Sequence, residues 1–199
     1  MGRNYSPYDI FDRLFNLSDL SALLQSDLQS SQCFIPLDIT ALREIATNEI
    51  QALAAHGGIM AVDSTPLLKR VNAATDKALR IEWAASDSNE AQFPPIPWPP
   101  DLDPAADVVV HLLIARNTGT DDCQIDVLAY EGVGDTEMGG KTSALTTTNV
   151  TEATVTLAAA NIAGSPGVLN LSLLPDAHTT DKLWLYAAWI EYTRALRTS

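Results

Sequence analysis

The sequence predicts a mostly β protein: an antiparallel jelly-roll-like β-sandwich carrying an N-terminal helical arm. Three observations carry that expectation. Apolar residues recur at every second position in run after run from Leu79 to Ile190, turn chemistry separates those runs, and helical spacing is confined to the region before Gly57.

The first 34 residues read as an arm. Ser6, Pro7 and Asp9 supply a capping hydroxyl, a proline at the first helical position and an acid near the positive helix end. Ile10, Phe11, Leu14 and Phe15 follow at helical spacing. A second start at Ser18 places Leu20, Leu23, Leu24 and Leu28 on one side. Two short amphipathic helices do not stand alone in water, so they need an apolar surface to lie on. Ser30-Ser31-Gln32 reads as a linker and Phe34-Ile35-Pro36 as a short extended piece. Residues 35–58 then form a linker and third helix, capped by Asp38 or Thr40. Its apolar face is Leu42, Ile45, Ala46, Ile50 and Leu53, and His56-Gly57-Gly58 stops it.

From residue 59 to 199 the expected unit is the sandwich. Leu79, Ile81 and Trp83 alternate with Arg80 and Glu82. Val108, Val110, Leu112 and Ile114 form one core face, and Ile125, Val127 and Ala129 another. Ala153, Val155 and Leu157 alternate with Glu152, Thr154 and Thr156, and Leu169, Leu171 and Leu173 close the pattern. Turns stand between them at Asn117-Thr118-Gly119, Gly132-Val133-Gly134-Asp135, Gly139-Gly140 and Ser165-Pro166-Gly167. Phe93-Pro94-Pro95-Ile96-Pro97-Trp98-Pro99-Pro100 cannot donate a regular ladder. It reads as an extended strap pegged down by Phe93, Ile96 and Trp98 rather than as a ligand for an SH3-type domain.

Lys182 to Thr193 stands apart. Leu183, Leu185, Ala187 and Trp189 alternate with Trp184, Tyr186, Ala188 and Ile190, and both sets are apolar. A buried helix could carry these residues, but their aromatic content and the preceding Pro175-Asp176 favour a strand. Such a strand is expected to be covered on both faces: by its own core on one, and by a helix, an arm or another subunit on the other.

Composition excludes several classes. A net charge of −13 and a pI near 4.4 oppose a role in neutralising nucleic-acid phosphates. No apolar run is long enough for a membrane-spanning helix, and the start of the chain lacks a secretory apolar core. Cys33 and Cys123 read as two free thiols.

No catalytic constellation emerges, and no cofactor or metal is implied. The stretch Gly134 to Thr142 misses the phosphate-loop spacing by one position and carries Asp135 and Glu137 where phosphate would sit, so it reads as a hairpin loop. Asp101, Asp103 and Asp107 offer oxygen ligands for calcium, but the glycine and terminal glutamate of a calcium loop are missing, which favours an acidic turn. His56, His111 and His178 have no recognisable partners.

From about Ile35 to Arg194 the chain resembles a group of tailed-bacteriophage virion proteins. The resemblance lies in LAAHGGIMAVDSTPLLKRVN, ATDKALRIEWAA, FPPIPWPPDLDPAADVVVHLL, GVGDTEMGGKTSA and LYAAWIEYTR. Such proteins resemble capsid decoration or cement proteins, jelly-roll trimers seated on the outer shell. The resemblance therefore implies a homotrimer on the major capsid protein, made in the host cytoplasm, with no direct nucleic-acid or membrane contact. Trp184, Leu185, Tyr186, Trp189 and Ile190 are then the candidate trimer interface. Ile10, Phe11, Leu14, Phe15, Leu20, Leu23 and Leu24 are the candidate capsid-binding arm. A head or tail fibre component is one alternative. A carbohydrate-binding β-sandwich module is another, with Trp83, Trp98 and Trp184 as stacking platforms, although each lies in an apolar run that suits core packing.

Overall fold

The computed structural model describes residues 32–46, 49–50, 66–70, 77–132 and 135–195. The arm and the Leu53 to Gly58 part of the third helix lie outside them. Thirteen strands are described: β1 (Gln32–Leu37), β2 (Arg43–Ala46), β3 (Glu49–Ile50), β4 (Leu67–Arg70), β5 (Leu79–Trp83), β6 (Glu90–Gln92), β7 (Ile96–Pro97), β8 (Val108–Arg116), β9 (Gln124–Tyr130), β10 (Gly140–Lys141), β11 (Thr151–Leu157), β12 (Val168–Asp176) and β13 (Leu183–Thr193). All their pairings are antiparallel. One sheet runs β11-β8-β13-β5-β4, with β1 also on β13; the second runs β10-β9-β12-β6-β2-β3, with β7 also on β12. The chain crosses between sheets repeatedly, at β1 to β2, β3 to β4, β5 to β6, β7 to β8, β8 to β9, β10 to β11, β11 to β12 and β12 to β13, giving the sandwich the alternation predicts.

The core is where period two placed it. Val108, Val110, Leu112 and Ile114 face Ile125, Val127, Leu169, Leu171 and Leu173 across the two sheets, and all are buried. Each such side chain stabilises the fold by roughly 1.5–3 kcal/mol relative to an exposed one. The outward residues of β11 are Glu152, Thr154 and Thr156, all exposed. The proline strap is pegged as expected. Phe93, Ile96 and Trp98 are buried, while Pro94, Pro95 and Pro97 stay exposed. The Phe93 N–H donates to Leu171 O at 2.9 Å and the Trp98 N–H to Gly167 O at 3.0 Å, so the strap borrows carbonyls around β12 between its prolines.

The phosphate-loop lookalike is the hairpin between β9 and β10. A Cβ on Gly139 would lie 1.6 Å from the Val127 carbonyl oxygen, so only glycine lets the returning chain come this close. The turns after β8 and β12 are tied by two carboxylates. Asp181 accepts the Thr120 and Asp121 N–H groups at 2.8 and 2.9 Å and the Thr118 hydroxyl. Asp121 in turn accepts the Asp181 N–H at 2.8 Å and that of Thr180. Burial pushes the Asp181 carboxyl up, but the Thr118 hydroxyl and main-chain N–H groups outweigh it and hold the acid below its usual range. Neither Cys33 nor Cys123 forms a disulfide among the described residues.

Two expectations need correction. The helix from Asp38 ends after one 3-10 turn, Ile39–Ala41. Asp38 does cap it, accepting the Thr40 N–H at 2.9 Å, but Leu42 is already extended at φ −55° and ψ 145°. The following residues form β2, because Arg43, Glu44 and Ile45 pair with Gln92, Ala91 and Glu90 of β6. Sheet pairing has overridden a helical spacing built partly from β-branched residues.

The second correction concerns β13. Its two apolar sets do not each keep to one face. A β-bulge lies between Leu185 and Ala187 where β13 pairs with β8. Leu185 opposes Ile114 and Ala187 opposes Leu113, so Tyr186 is the extra residue. Before the bulge the inward residues are Leu183 and Leu185; after it they are Ala188, Ile190 and Tyr192. One inserted residue swaps the odd and even positions between faces, and Trp184, Tyr186 and Trp189 all come to lie on the outward face, half-buried.

Candidate functional site

The outward face of β13 explains why the aromatic residues there are only half-exposed. Trp184, Tyr186 and Trp189 share it. The Arg80 guanidinium lies 3.8 Å over the Trp184 ring, and the Trp184 indole N–H donates to Glu82 at 3.1 Å. His111 stacks on Trp189 with ring centroids 4.9 Å apart and an interplanar angle of 10°. Its Nδ1 lies 2.6 Å from Glu152 Oε1 and its Nε2 lies 3.1 Å from Glu191 Oε2. The five residues expected at a trimer interface are thus divided. Leu185 and Ile190 point into the core, while Trp184, Tyr186 and Trp189 pack among charged neighbours of their own sheet. The arm residues Ile10, Phe11, Leu14, Phe15, Leu20, Leu23 and Leu24 lie outside the described residues.

None of the three tryptophans offers an open stacking face. Trp83 and Trp98 are buried, their indole N–H groups donating to Asn89 O at 3.0 Å and to Glu131 respectively. Trp184 has Arg80 across its ring. The acidic turn is committed elsewhere: Asp101 pairs with Arg194 at 2.6 Å, Asp103 accepts the Ala105 N–H, and Asp107 accepts the Ala159 N–H. His178 is buried with Nε2 2.6 Å from Asp87 O. Among the described residues no group of three His, Cys, Asp or Glu side chains could hold a metal ion.

A site assembles instead on the outward face of the second sheet. Alternation sends Tyr130, Leu128 and Asp126 of β9 outward, with Asn170 and Ser172 of β12, Gln92 and Glu90 of β6, and Arg43 of β2. Strand register makes rungs of them. Tyr130 lies opposite Asn170, and Leu128, Ser172, Gln92 and Arg43 form one continuous row. At the end of β6 the chain runs on along β12 as the proline strap, whose exposed Pro94 and Pro95 form a wall beside this row. Between wall and row lies a cavity of about 480 Å³ lined by Ala41, Arg43, Gln92, Phe93, Pro94, Pro95 and Asn170. A recess of about 210 Å³ adjoins it on the far side of Phe93, Pro94 and Pro95, reaching Ile35 to Asp38.

Two kinds of surface meet here. The exposed rings of Pro94 and Pro95 give an apolar wall, and Phe93 beside them is buried. The amides of Gln92 and Asn170 accept and donate, and neither is engaged by another side chain among the described residues. The Arg43 guanidinium is fixed by donating from Nη1 to Ala41 O at 3.2 Å and Leu42 O at 3.0 Å. The opposite end of the face is acidic. The Tyr130 hydroxyl donates to Glu137 at 3.2 Å, and burial, then Glu137, Glu90 and Asp126, push the phenol up. No nucleophile stands beside a base in the cavity. The arrangement can bind, orient and select a polyhydroxylated ligand, but it holds no assembled acid–base pair.

Sequence reasoning missed every polar residue of this cavity. Arg43, Gln92 and Asn170 come from three strands separated by up to 127 positions, so no local motif carries them. The one legible signal was the strap, whose exposed prolines were read only as structure.

No family model matches the chain, and no curated protein matches it. Solved structures similar to it include a xylan-binding module, CBM15, at 12% identity and a TM-score of 0.49, covering 83% of this chain and 100% of that one. The C-terminal CBM6 of a laminarinase from Zobellia galactanivorans is 13% identical with a TM-score of 0.43, covering 62% and 86%. TmCBM61, solved in complex with β-1,4-galactotriose, is 12% identical with a TM-score of 0.39, covering 84% and 92%. At these identities the likeness is one of fold. The expectation of a capsid cement protein is corrected: these structural neighbours are carbohydrate-binding modules, not virion components.

Proposed function

We propose that this chain is a non-catalytic carbohydrate-binding β-sandwich module whose site is the cavity between the proline strap and the β12–β6–β2 row. The observation that carries this reading is the pairing of an exposed apolar wall, Pro94-Pro95, with the uncommitted amides of Gln92 and Asn170. A pyranose has the matching chemistry: C–H groups on one face and a rim of hydroxyls that donate and accept. The cavity's size lies within the ordinary range for small-molecule sites, about 300–1,000 Å³.

Titration calorimetry of the full chain against a panel of soluble oligosaccharides tests the reading. At least one is expected to bind, and Gln92→Ala and Asn170→Ala are each expected to weaken it about tenfold, the loss of roughly one good hydrogen bond. Both side chains are half-exposed, so the unfolding midpoint should stay close to that of the unaltered protein. An absence of binding across the panel, or binding indifferent to both substitutions, overturns the assignment.

A further inference from the structure

We propose that the sugar taken by this cavity carries a carboxylate, held by Arg43; this rests on the carbohydrate-binding reading above. The argument is one of charge accounting in a strongly acidic chain, with 25 Asp and Glu against 12 Lys and Arg. Among the described residues five of the nine Lys and Arg side chains pair with an acid. Lys69, Arg80 and Lys182 converge on Glu82, Lys141 pairs with Asp176, and Arg194 pairs with Asp101. Arg43 has no carboxylate partner among the described residues. Its only bonds are the two from Nη1 to the carbonyls of Ala41 and Leu42.

Those two bonds hold one corner of the guanidinium and leave its other donors uncommitted. A guanidinium fixed in this way presents parallel N–H groups to a carboxylate's two oxygens with little further ordering to do. Gln92 sits opposite Arg43 in strand register, and Asn170 lines the same cavity, so both amides remain available for ring hydroxyls beside the acid.

The surrounding acids are placed so as not to cancel this. Glu90 is on the same face but lies opposite Ile45. Glu44 turns to the other side, where it accepts from Asn89 Nδ2 at 2.7 Å. Asp38 lies in the adjoining recess and is occupied by the Thr40 N–H and hydroxyl at 2.9 and 2.6 Å. Asp126 and Glu137 stand at the far end beside Tyr130.

The test compares an oligogalacturonate with its carboxyl-reduced, neutral counterpart on the full chain, by calorimetry at low and high salt. The acidic form is expected to bind at least about tenfold more tightly, with the preference shrinking as salt rises. Arg43→Gln should abolish the preference, leaving the two forms within about twofold, and Arg43→Lys should restore only part of it because a point charge lacks the fork. Unfolding curves for both variants confirm that they remain folded. Equal binding of the two forms, or a preference that survives Arg43→Gln, overturns the carboxylate assignment while the carbohydrate reading stands. Failure of both forms and of every other saccharide overturns both.

Discussion

Replacing Glu82 by alanine is expected to lower the free energy of unfolding by about 2 kcal/mol at neutral pH, because a buried acid is removed from Arg80 and from Lys69 and Lys182, whose side chains are themselves partly exposed. Glu82 sits on β5 with its side chain only 5% exposed. One oxygen takes Lys69 at 2.8 Å and Lys182 at 3.3 Å; the other takes Arg80 at 2.7 Å and the Trp184 indole N–H at 3.1 Å. The acid thus joins β4, β5 and the start of β13. Without it, three cations gather around an empty centre, and Arg80 loses the anchor that lays it over Trp184.

The pH dependence follows from the same contacts. Burial pushes the Glu82 carboxyl up, but Lys69, Arg80 and Lys182 outweigh burial and hold it at about 2, against an ordinary 4.5. A depressed acid contributes its full stabilisation above the unfolded value, and the contribution is lost as pH falls through the folded one. Chemical unfolding measured from pH 7 downward should therefore show stability falling between about pH 5 and pH 2. Asp121, Asp176 and Asp181 are also depressed and titrate in the same window. The decisive quantity is thus the difference between the unaltered protein and Glu82→Gln, which should narrow toward acid. A Glu82→Ala loss within about 0.5 kcal/mol, the range of ordinary surface substitutions, would show the cluster to be dispensable.

The parts of this protein that were legible in its sequence are those decided by local period. The alternation in β8, β9, β11 and β12 fixed both the strands and their inward residues, because those strands keep unbroken pairing with β-branched and leucine side chains on one face. The pegs of the strap were legible for a related reason: between prolines, only Phe93, Ile96 and Trp98 have apolar bulk to bury. Elements decided by distant partners were not. Asp38 begins a turn that continues as a strand because β6, some fifty residues on, supplies the hydrogen bonds. The cavity is hidden for the same reason, since Arg43, Gln92 and Asn170 meet only through the registers of β2, β6 and β12.

The misreading of β13 was of another kind, and it makes the sharpest prediction. Taking out either Ala187 or Ala188 leaves one sequence, Leu-Trp-Leu-Tyr-Ala-Trp-Ile-Glu-Tyr-Thr. Its alternate residues are then those that face inward in the structure: Leu183, Leu185, one alanine, Ile190 and Tyr192. The bulge has nothing left to absorb, and the strand can pair regularly with β8 along its length. This deletion is expected to cost less than about 2 kcal/mol, within the range of an ordinary destabilising change. Removing Asp126 from β9, a strand between β10 and β12 with no bulge, should do the opposite. If the residues after the gap keep their register, Ile125 turns out of the core and Gln124 turns in. If those before it do, Val127 and Ala129 turn out and Tyr130 turns in. Either reversal exposes fully buried aliphatic surface while burying a polar group, and the cost is expected to exceed about 5 kcal/mol, enough to unfold a domain of ordinary stability. Urea unfolding followed by tryptophan fluorescence separates the two, since Trp83 and Trp98 are buried in the folded state. A β13 deletion as damaging as that of Asp126 would mean that the extra residue is required for the fold.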